Sequence, residues 1–349
     1  MLMSVTVIVF ITLLNRDLVN GCPSPCVCTD TTVDCSETGL DEIPQNISSN
    51  TTILLLGGNN LTTVKPNALS GLSSLIELSL KDNKLVTLPE SLFSNNTKLV
   101  TLDLQNNQLV SLPGKFFSNN KNLERLYIGS NNLVYLPKDL LVSNTNLESL
   151  YLGSNKLVSL PEDLFSNNTK LEILSLESNK LVSLPEGLFT NNRKLQILRL
   201  ENNMLVSLPE GLFTFNTELR FVNMNKNEFI CCLMMDFKDW ASNQTQLTYE
   251  GTCTNLNTTI DIHSFNTSTC IIPGWSPWVN SSCSTTCGDG VIISTRTCDN
   301  PPPSDNGLKC VGSETETSIC NLRKCPVTYK LTEREQINYV SCQHESADN

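Results

Sequence analysis

Histidine is almost missing from this chain: only His263 and His344 occur in 349 residues. Neither a histidine-based catalytic triad nor a histidine metal cluster can be put together from them. No glycine-rich phosphate loop occurs either, so the chain reads as a non-enzymatic protein with no cofactor and no metal. Positive charge is also scarce, 24 Lys and Arg against 35 Asp and Glu for a net −11, which argues against nucleic acid as a partner. Long apolar runs are lacking as well. The stretch from Val5 to Leu14 is too short to cross a bilayer, and with Val19-Asn20-Gly21 behind it reads as a signal peptide cleaved after Gly21, although it has no basic start. No membrane span and no lipid-anchor tail are expected, so the mature protein is expected to be secreted and extracellular. Finally, none of the 15 cysteines falls between Asp41 and Glu228.

What fills that cysteine-free interval is a repeat. Asparagine returns at Asn59, Asn83, Asn107, Asn131, Asn155, Asn179, Asn203 and Asn227, each 24 residues after the last, behind the frame Leu-x-x-Leu-x-Leu-x-x-Asn or a close variant. A fixed period of this length means stacked units, none of which can bury its leucines alone. Within a unit, the alternation Leu150-x-Leu152 predicts a short strand with one face buried. Asn155 falls where the chain must turn away from that strand. Its carboxamide is donor and acceptor at once, so it can satisfy backbone groups that the bend strips of partners, and stacked copies form a ladder. The frame resembles the 24-residue extracellular class of the leucine-rich repeat family, over about residues 51–226. That resemblance implies a solenoid with a curved parallel β-sheet on one side and a mostly irregular convex side. Where the family often has a buried leucine after the phenylalanine, this chain has Asn96, Asn120, Asn144, Asn168, Asn192 and Asn216; only Leu72 keeps the hydrophobe. A second polar ladder is expected there, similar to a variation in Toll-type ectodomains, beside a spine of Phe93, Phe117, Leu141, Phe165, Phe189 and Phe213.

The two ends of a solenoid expose leucines that the next coil would otherwise cover, so they need caps. Cysteines gather at both: Cys22, Cys26, Cys28 and Cys35 before the repeats, Cys231, Cys232, Cys253 and Cys270 after them, as suits an oxidising compartment. These clusters resemble the cysteine-rich caps of extracellular leucine-rich repeat proteins. The first is similar to those of Slit proteins and variable lymphocyte receptors, which share its Cys-Pro-x-x-Cys-x-Cys frame and "TTVDC" run. The resemblance implies disulfides Cys22–Cys28, Cys26–Cys35, Cys231–Cys253 and Cys232–Cys270, with Phe237 and Trp240 covering the last coil. The adjacent Cys231-Cys232 departs from the family's usual Cys-x-Cys.

Past Cys270 the texture changes to "GWSPWVNSSCSTTCGDGVIISTRTC", with Trp275, Trp278, Cys283, Cys287-Gly288, Arg296 and Cys298, then Cys310, Cys320 and Cys325. This pattern resembles the thrombospondin type 1 repeat. The resemblance implies a small disulfide-rich module with Cys283–Cys320, Cys287–Cys325 and Cys298–Cys310, tryptophans layered against arginine, O-fucose on Thr286 and C-linked mannose on Trp275. Arg296, Lys309, Arg323 and Lys324 are outnumbered by Asp289, Asp299, Asp305, Glu314 and Glu316, so any contact with glycosaminoglycans is expected to be weak.

The organisation read from these features is a signal peptide (1–21), an N-terminal cap (22–50), repeats (51–226), a C-terminal cap (227–271), the thrombospondin-type module (272–326) and a polar tail (327–349). The tail's Cys342 is left over once the other cysteines pair. A disulfide-linked partner, capping by a small thiol, and no role at all stay open for it. Function is expected on the strand residues that point away from the core, because the frame leaves them free to vary. Among them Arg125, Tyr127, Tyr151, Ile173, Glu177, Arg199, Glu201 and Phe221 form the candidate ligand-binding set, tyrosine and arginine being the residues that most often dominate binding energy. Strand surfaces also accept such residues without any ligand. N-glycosylation sequons occur at Asn46, Asn50, Asn60, Asn95, Asn167, Asn243, Asn257, Asn266 and Asn280, none at an outward strand position. Two readings follow. One is a secreted recognition protein that binds a protein or glycan on the concave face, in innate immunity or cell guidance. The other is an extracellular-matrix or cell-adhesion component anchored through the thrombospondin-type module.

Overall fold

A computed structural model of the protein describes residues 22–255, 258–270, 273–300, 302, 310 and 312–324. Residues 1–21, read above as a signal peptide, and Asn257, Cys325, Cys342 and the tail lie outside the described residues. The rest forms two compact units divided between Phe265 and Asn266.

In the first unit each repeat contributes one three-residue strand, because its alternating leucines both enter the core: Leu150 and Leu152 are fully buried, as are their counterparts along the array. These strands are β3 to β10, at Ile53–Leu55, Glu77–Ser79, Thr101–Asp103, Arg125–Tyr127, Ser149–Tyr151, Ile173–Ser175, Ile197–Arg199 and Phe221–Asn223. They pair in parallel and in strict register, Leu102 beside Leu126 beside Leu150. The sheet runs on into both caps. At one end β2 (Thr32–Asp34) joins β3 in parallel and β1 (Val27–Thr29) turns back antiparallel on it; at the other, β11 (Thr248–Glu250) joins β10. The result is one 11-stranded sheet.

Three residues past the end of each strand from β3 to β10 stands a left-handed residue. Asp82, Asn106, Ser130, Ser154, Ser178, Asn202 and Lys226 all have φ between 53° and 58°, and glycine fills the equivalent place only at Gly58, φ 67°. Such a turn aims backbone groups into the core, and the asparagine that follows satisfies them. Asn155 Nδ2 donates to the carbonyls of Ile128 (3.1 Å) and Leu152 (3.0 Å), and its Oδ1 accepts from Leu133 N–H (3.0 Å). One side chain thereby ties its own coil to the one before it.

On the convex side the second asparagine series is fully buried. Asn144 Nδ2 donates to Phe117 O (3.1 Å) and Asn120 O (2.8 Å), and Asn96 through Asn216 repeat the pattern. Turns take the place of helices there. Phe165, Phe189 and Phe213 stack ring on ring at 6.3 and 5.9 Å, and Leu141 breaks the aromatic column ahead of them.

The caps are stapled covalently. Disulfides join Cys22 to Cys28, Cys26 to Cys35 and Cys231 to Cys253, and Cys232 and Cys270 are disulfide-bonded as well. In the C-terminal cap β12 (Thr252–Asn255) and β13 (Thr258–Asp261) pair antiparallel, and the helix α1 (Met235–Ser242) lays Phe237 and Trp240 against Phe213, closing the aromatic column at 5.9 and 5.2 Å.

The second unit is a three-stranded antiparallel sheet of β14 (Val279–Asn280), β15 (Asp289–Thr295) and β16 (Thr315–Asn321). Disulfides Cys283–Cys320 and Cys298–Cys310 hold it, and Cys287 is also disulfide-bonded. The Arg296 guanidinium sits between Trp275 and Trp278, 4.4 and 4.2 Å from their ring centres, a cation–π stack in a unit too thin for a large core.

Replacing Asn155 by alanine strands a buried N–H on Leu133 and takes one of two donors from the carbonyls of Ile128 and Leu152, which keep Asn131 and Asn179. The expected loss is about 2–4 kcal/mol, read as a lower urea midpoint in equilibrium unfolding.

Candidate functional site

The side chains that point away from the core form a surface whose spacing the strands fix. Tyr127 on β6 and Tyr151 on β7 are cross-strand neighbours in direct register, and their rings stack at 4.8 Å with 17° between planes. Burial and then the neighbouring Tyr151 push the Tyr127 hydroxyl above the ordinary tyrosine range, against the pull of Arg125. Two residues on, Gly129 and Gly153 are buried, with neighbouring groups packed over their backbone. A side chain at Gly129 would press on the carbonyl of Gly153, and one at Gly153 would run into the Glu177 carboxylate.

Around this pair the face divides by chemistry. Toward the N-terminal cap lies a cleft of about 460 Å³ lined by Ser36, Glu77, Lys81, Asp103, Arg125 and Tyr127 among others. Arg125 Nε donates to Thr101 Oγ1 (3.2 Å) directly opposite it on the neighbouring strand, holding the guanidinium across the strands. Burial raises the Asp103 carboxyl above its ordinary range, opposed by the hydrogen bond from Gln105 N–H (2.9 Å) and by Lys81. Toward the C-terminal cap, Glu177 is hydrogen-bonded to the Ser175 hydroxyl, and Arg199 reaches Glu201 at 3.7 Å. Burial also raises Glu201, with a further push from Glu177. Asn225 extends the face to the cap through Glu250 (3.0 Å).

Of the residues singled out from the sequence, Arg125, Tyr127 and Tyr151 come together, as do Glu177, Arg199 and Glu201, with Ile173 and Phe221 on the strands between and beside them. Not every outward position is open: Ser79 and Ser175 are buried beneath their neighbours. Asp103 and Ser36 belong to the cleft although the candidate set leaves them out. Asp103 was visible as an outward position; Ser36, in a cap without the leucine frame, was not. The described sequon asparagines, Asn46, Asn50, Asn60, Asn95, Asn167, Asn243, Asn266 and Asn280, are all exposed, as is Thr286.

The leucine rich repeat profile matches residues 49–109, 97–157, 145–205 and 169–229, together half of the chain. The chain belongs to the leucine-rich repeat family. A leucine rich repeat N-terminal domain matches residues 21–48 and a thrombospondin type 1 domain residues 274–325. Similar curated proteins match this leucine-rich repeat protein over short stretches. Hemicentin-1 of Mus musculus is 51% identical over 53 residues, 15% of this chain and 1% of its own length. Semaphorin-5A of Homo sapiens is 37% identical over 78 residues, 21% of this chain and 7% of its own. The chain therefore spans only a small part of these relatives. Among solved structures, a chain of the octameric complex of Latrophilin 3, Unc5D (Ig, Ig2, TSP1) and FLRT2 (LRR) aligns with TM-score 0.56 and 23% identity, over 70% of this chain and 98% of that one, a likeness of fold. Leucine-rich repeats joined to a thrombospondin type 1 domain make an extracellular recognition or adhesion protein, and no helix among the described residues is long and apolar enough to cross a membrane.

A carboxyl raised by burial stabilises the fold when protonated and costs stability once ionised, so its contribution is present in acid and lost as pH rises through the raised value. Asp103→Asn is therefore expected to raise the melting temperature at neutral pH, with the gain fading below the ordinary carboxylate range. Melting curves at the two pH values check this.

Proposed function

We infer that this is a secreted recognition protein that holds a protein ligand on the concave face, centred on Tyr127 and Tyr151. The observation that carries the reading is the stacked tyrosine pair, half-buried on the strand face and bordering the cleft that Ser36, Asp103 and Arg125 help to line. Two rigid aromatic rings beside a depression can anchor an inserted side chain, and such anchors carry a large share of binding energy. Arg125 on one side and Glu177 on the other supply charges of both signs, which suit a protein surface better than a uniformly anionic glycan. The complex that contains the similar fold is itself an assembly of proteins. N-glycans on the exposed sequons of the first unit, Asn46, Asn50, Asn60, Asn95, Asn167 and Asn243, would stand off the outward strand positions, and O-fucose on Thr286 and mannose on Trp275 would lie in the second unit.

The matrix or adhesion reading draws on that second unit. Val279, Val291 and Ile319 are exposed there, while Arg296 is engaged between its tryptophans, which leaves Arg323 and Lys324 as the described free-standing cations. Glycosaminoglycan binding through them would be weak.

The test is binding of the secreted, glycosylated protein to a panel of cell-surface ectodomains, microbial glycans and matrix components, beside a Tyr127→Ala/Tyr151→Ala variant. The expected result is at least about a tenfold loss of affinity for one protein ligand. Binding that survives this change and disappears on deletion of residues 272–349 would instead assign function to the adhesion module.

A further inference from the structure

Among the described residues, one edge of the thrombospondin-type sheet stands open. On the middle strand β15, Val291 N–H donates to Ser284 Oγ (3.0 Å) and its carbonyl accepts from Ser284 N–H (2.9 Å); Ile293 makes the same pair of bonds with Ser281 (3.0 and 2.8 Å). Directly opposed residues of an antiparallel pair exchange both backbone bonds or neither. Val291 lies opposite Ile319, and Ile293 opposite Thr317, so the backbone groups of Thr317 and Ile319 on β16 turn outward. Asn321, opposite Asp289, follows the same alternation. Thr315 is closed off locally: its N–H donates to Ser313 Oγ (3.2 Å) and its carbonyl accepts from that hydroxyl (2.6 Å). Residues 317, 319 and 321 thus present an open hydrogen-bonding ladder among the described residues. Ile319 at its centre is 82% exposed, and Val279, Val291 and Ile293 on the same sheet face are 66, 40 and 48% exposed. An open edge with an exposed aliphatic centre is a template for another strand.

We propose that β16 pairs antiparallel with β16 of a second copy of this chain, about a two-fold axis through Ile319. This register uses all three outward positions. Ile319 exchanges both backbone bonds with Ile319 of the second copy, and Thr317 does so with Asn321 of the second copy, twice over by symmetry. Charge selects the same arrangement. Glu314 and Glu316 stand at the start of the strand and Arg323 and Lys324 just past its end, all exposed. The two-fold sets Glu314 opposite Lys324 of the second copy, whereas parallel pairing would stack like charge on like. The two aliphatic faces then join into one. Asn280 and Thr286, the carbohydrate positions proposed for this module, belong to the segment on the β14 side of β15, away from the pairing edge. This inference does not depend on the concave-face reading, and would make a concave site bivalent.

The test uses the full secreted chain carrying Cys342→Ser, so that no disulfide through that residue joins two copies, and reads molar mass by sedimentation velocity over a concentration series. A reversible dimer is expected. Glu314→Lys/Glu316→Lys and Arg323→Glu/Lys324→Glu should each weaken it by at least about tenfold, and an equimolar mixture of the two variants should recover a mixed dimer. The amides of Thr317 and Ile319 should exchange slowly in the dimer and quickly on dilution to monomer. Three results overturn the proposal: a monomer at every concentration, a dimer indifferent to both charge reversals, or slow exchange of those amides in the monomer, which would give the edge to residues 325–349 of the same chain.

Discussion

A buried turn every 24 residues is the constraint on which the rest of this molecule depends. Each turn points backbone amides and carbonyls into a core of leucine, where an unpaired group costs about 1–3 kcal/mol. One asparagine per coil meets that demand by bonding to its own strand end and to the previous coil. Coils can then stack at strand spacing, and the sheet follows. The convex asparagines solve the same problem from the other side, at the cost of an Oδ1 without a partner in each of Asn96, Asn120, Asn144, Asn168, Asn192 and Asn216. A leucine there would avoid that orphan oxygen but would take the second donor from two carbonyls, each of which then keeps one backbone N–H, and would untie the coil from the one before it.

Because the frame alone sets the backbone, the outward strand residues are released from structural duty. This links the repetition of the core to the variety of the concave face. Near-identical segments such as Leu181–Glu186 and Leu205–Glu210 repeat on the lateral edge and turns, while the outward positions run from Thr101 and Asp103 through the tyrosines to Arg199 and Glu201. A face with a stacked aromatic pair, a cleft beside it and carboxyls held partly out of water retains features that stability does not ask for.

The periodic parts of the fold were legible in the sequence because a single residue type at a fixed interval reports a structural need that recurs. The 24-residue asparagine spacing and the Leu-x-Leu alternation locate β3 to β10 and their buried faces. The strands of the caps were not legible in that way: Val27–Thr29 and Thr248–Glu250 carry no leucine frame, and pair only because the neighbouring coil offers an edge. For the concave face, alternation tells which residues point outward but not which rest on each other. Ser175 looks like an exposed position until Glu177 folds over it, and Ser36 enters the cleft from a cap whose path only the three-dimensional packing reveals. The open edge of β16 needs the hydrogen-bond parity of β15, which depends on Ser281 and Ser284 and leaves no mark in composition.

The most direct test of the central claim, that the concave face is where this protein meets its ligand, is a hydroxyl-radical footprint of the protein bound to the ligand drawn from the panel. Protection concentrated at Tyr127 and Tyr151, with Phe221 partly covered and the lateral valines Val86, Val110, Val134, Val158 and Val182 as reactive as in the free protein, is the predicted result. Protection of that valine stripe, which is 42–51% exposed in the free protein, with both tyrosines unchanged, would contradict the account.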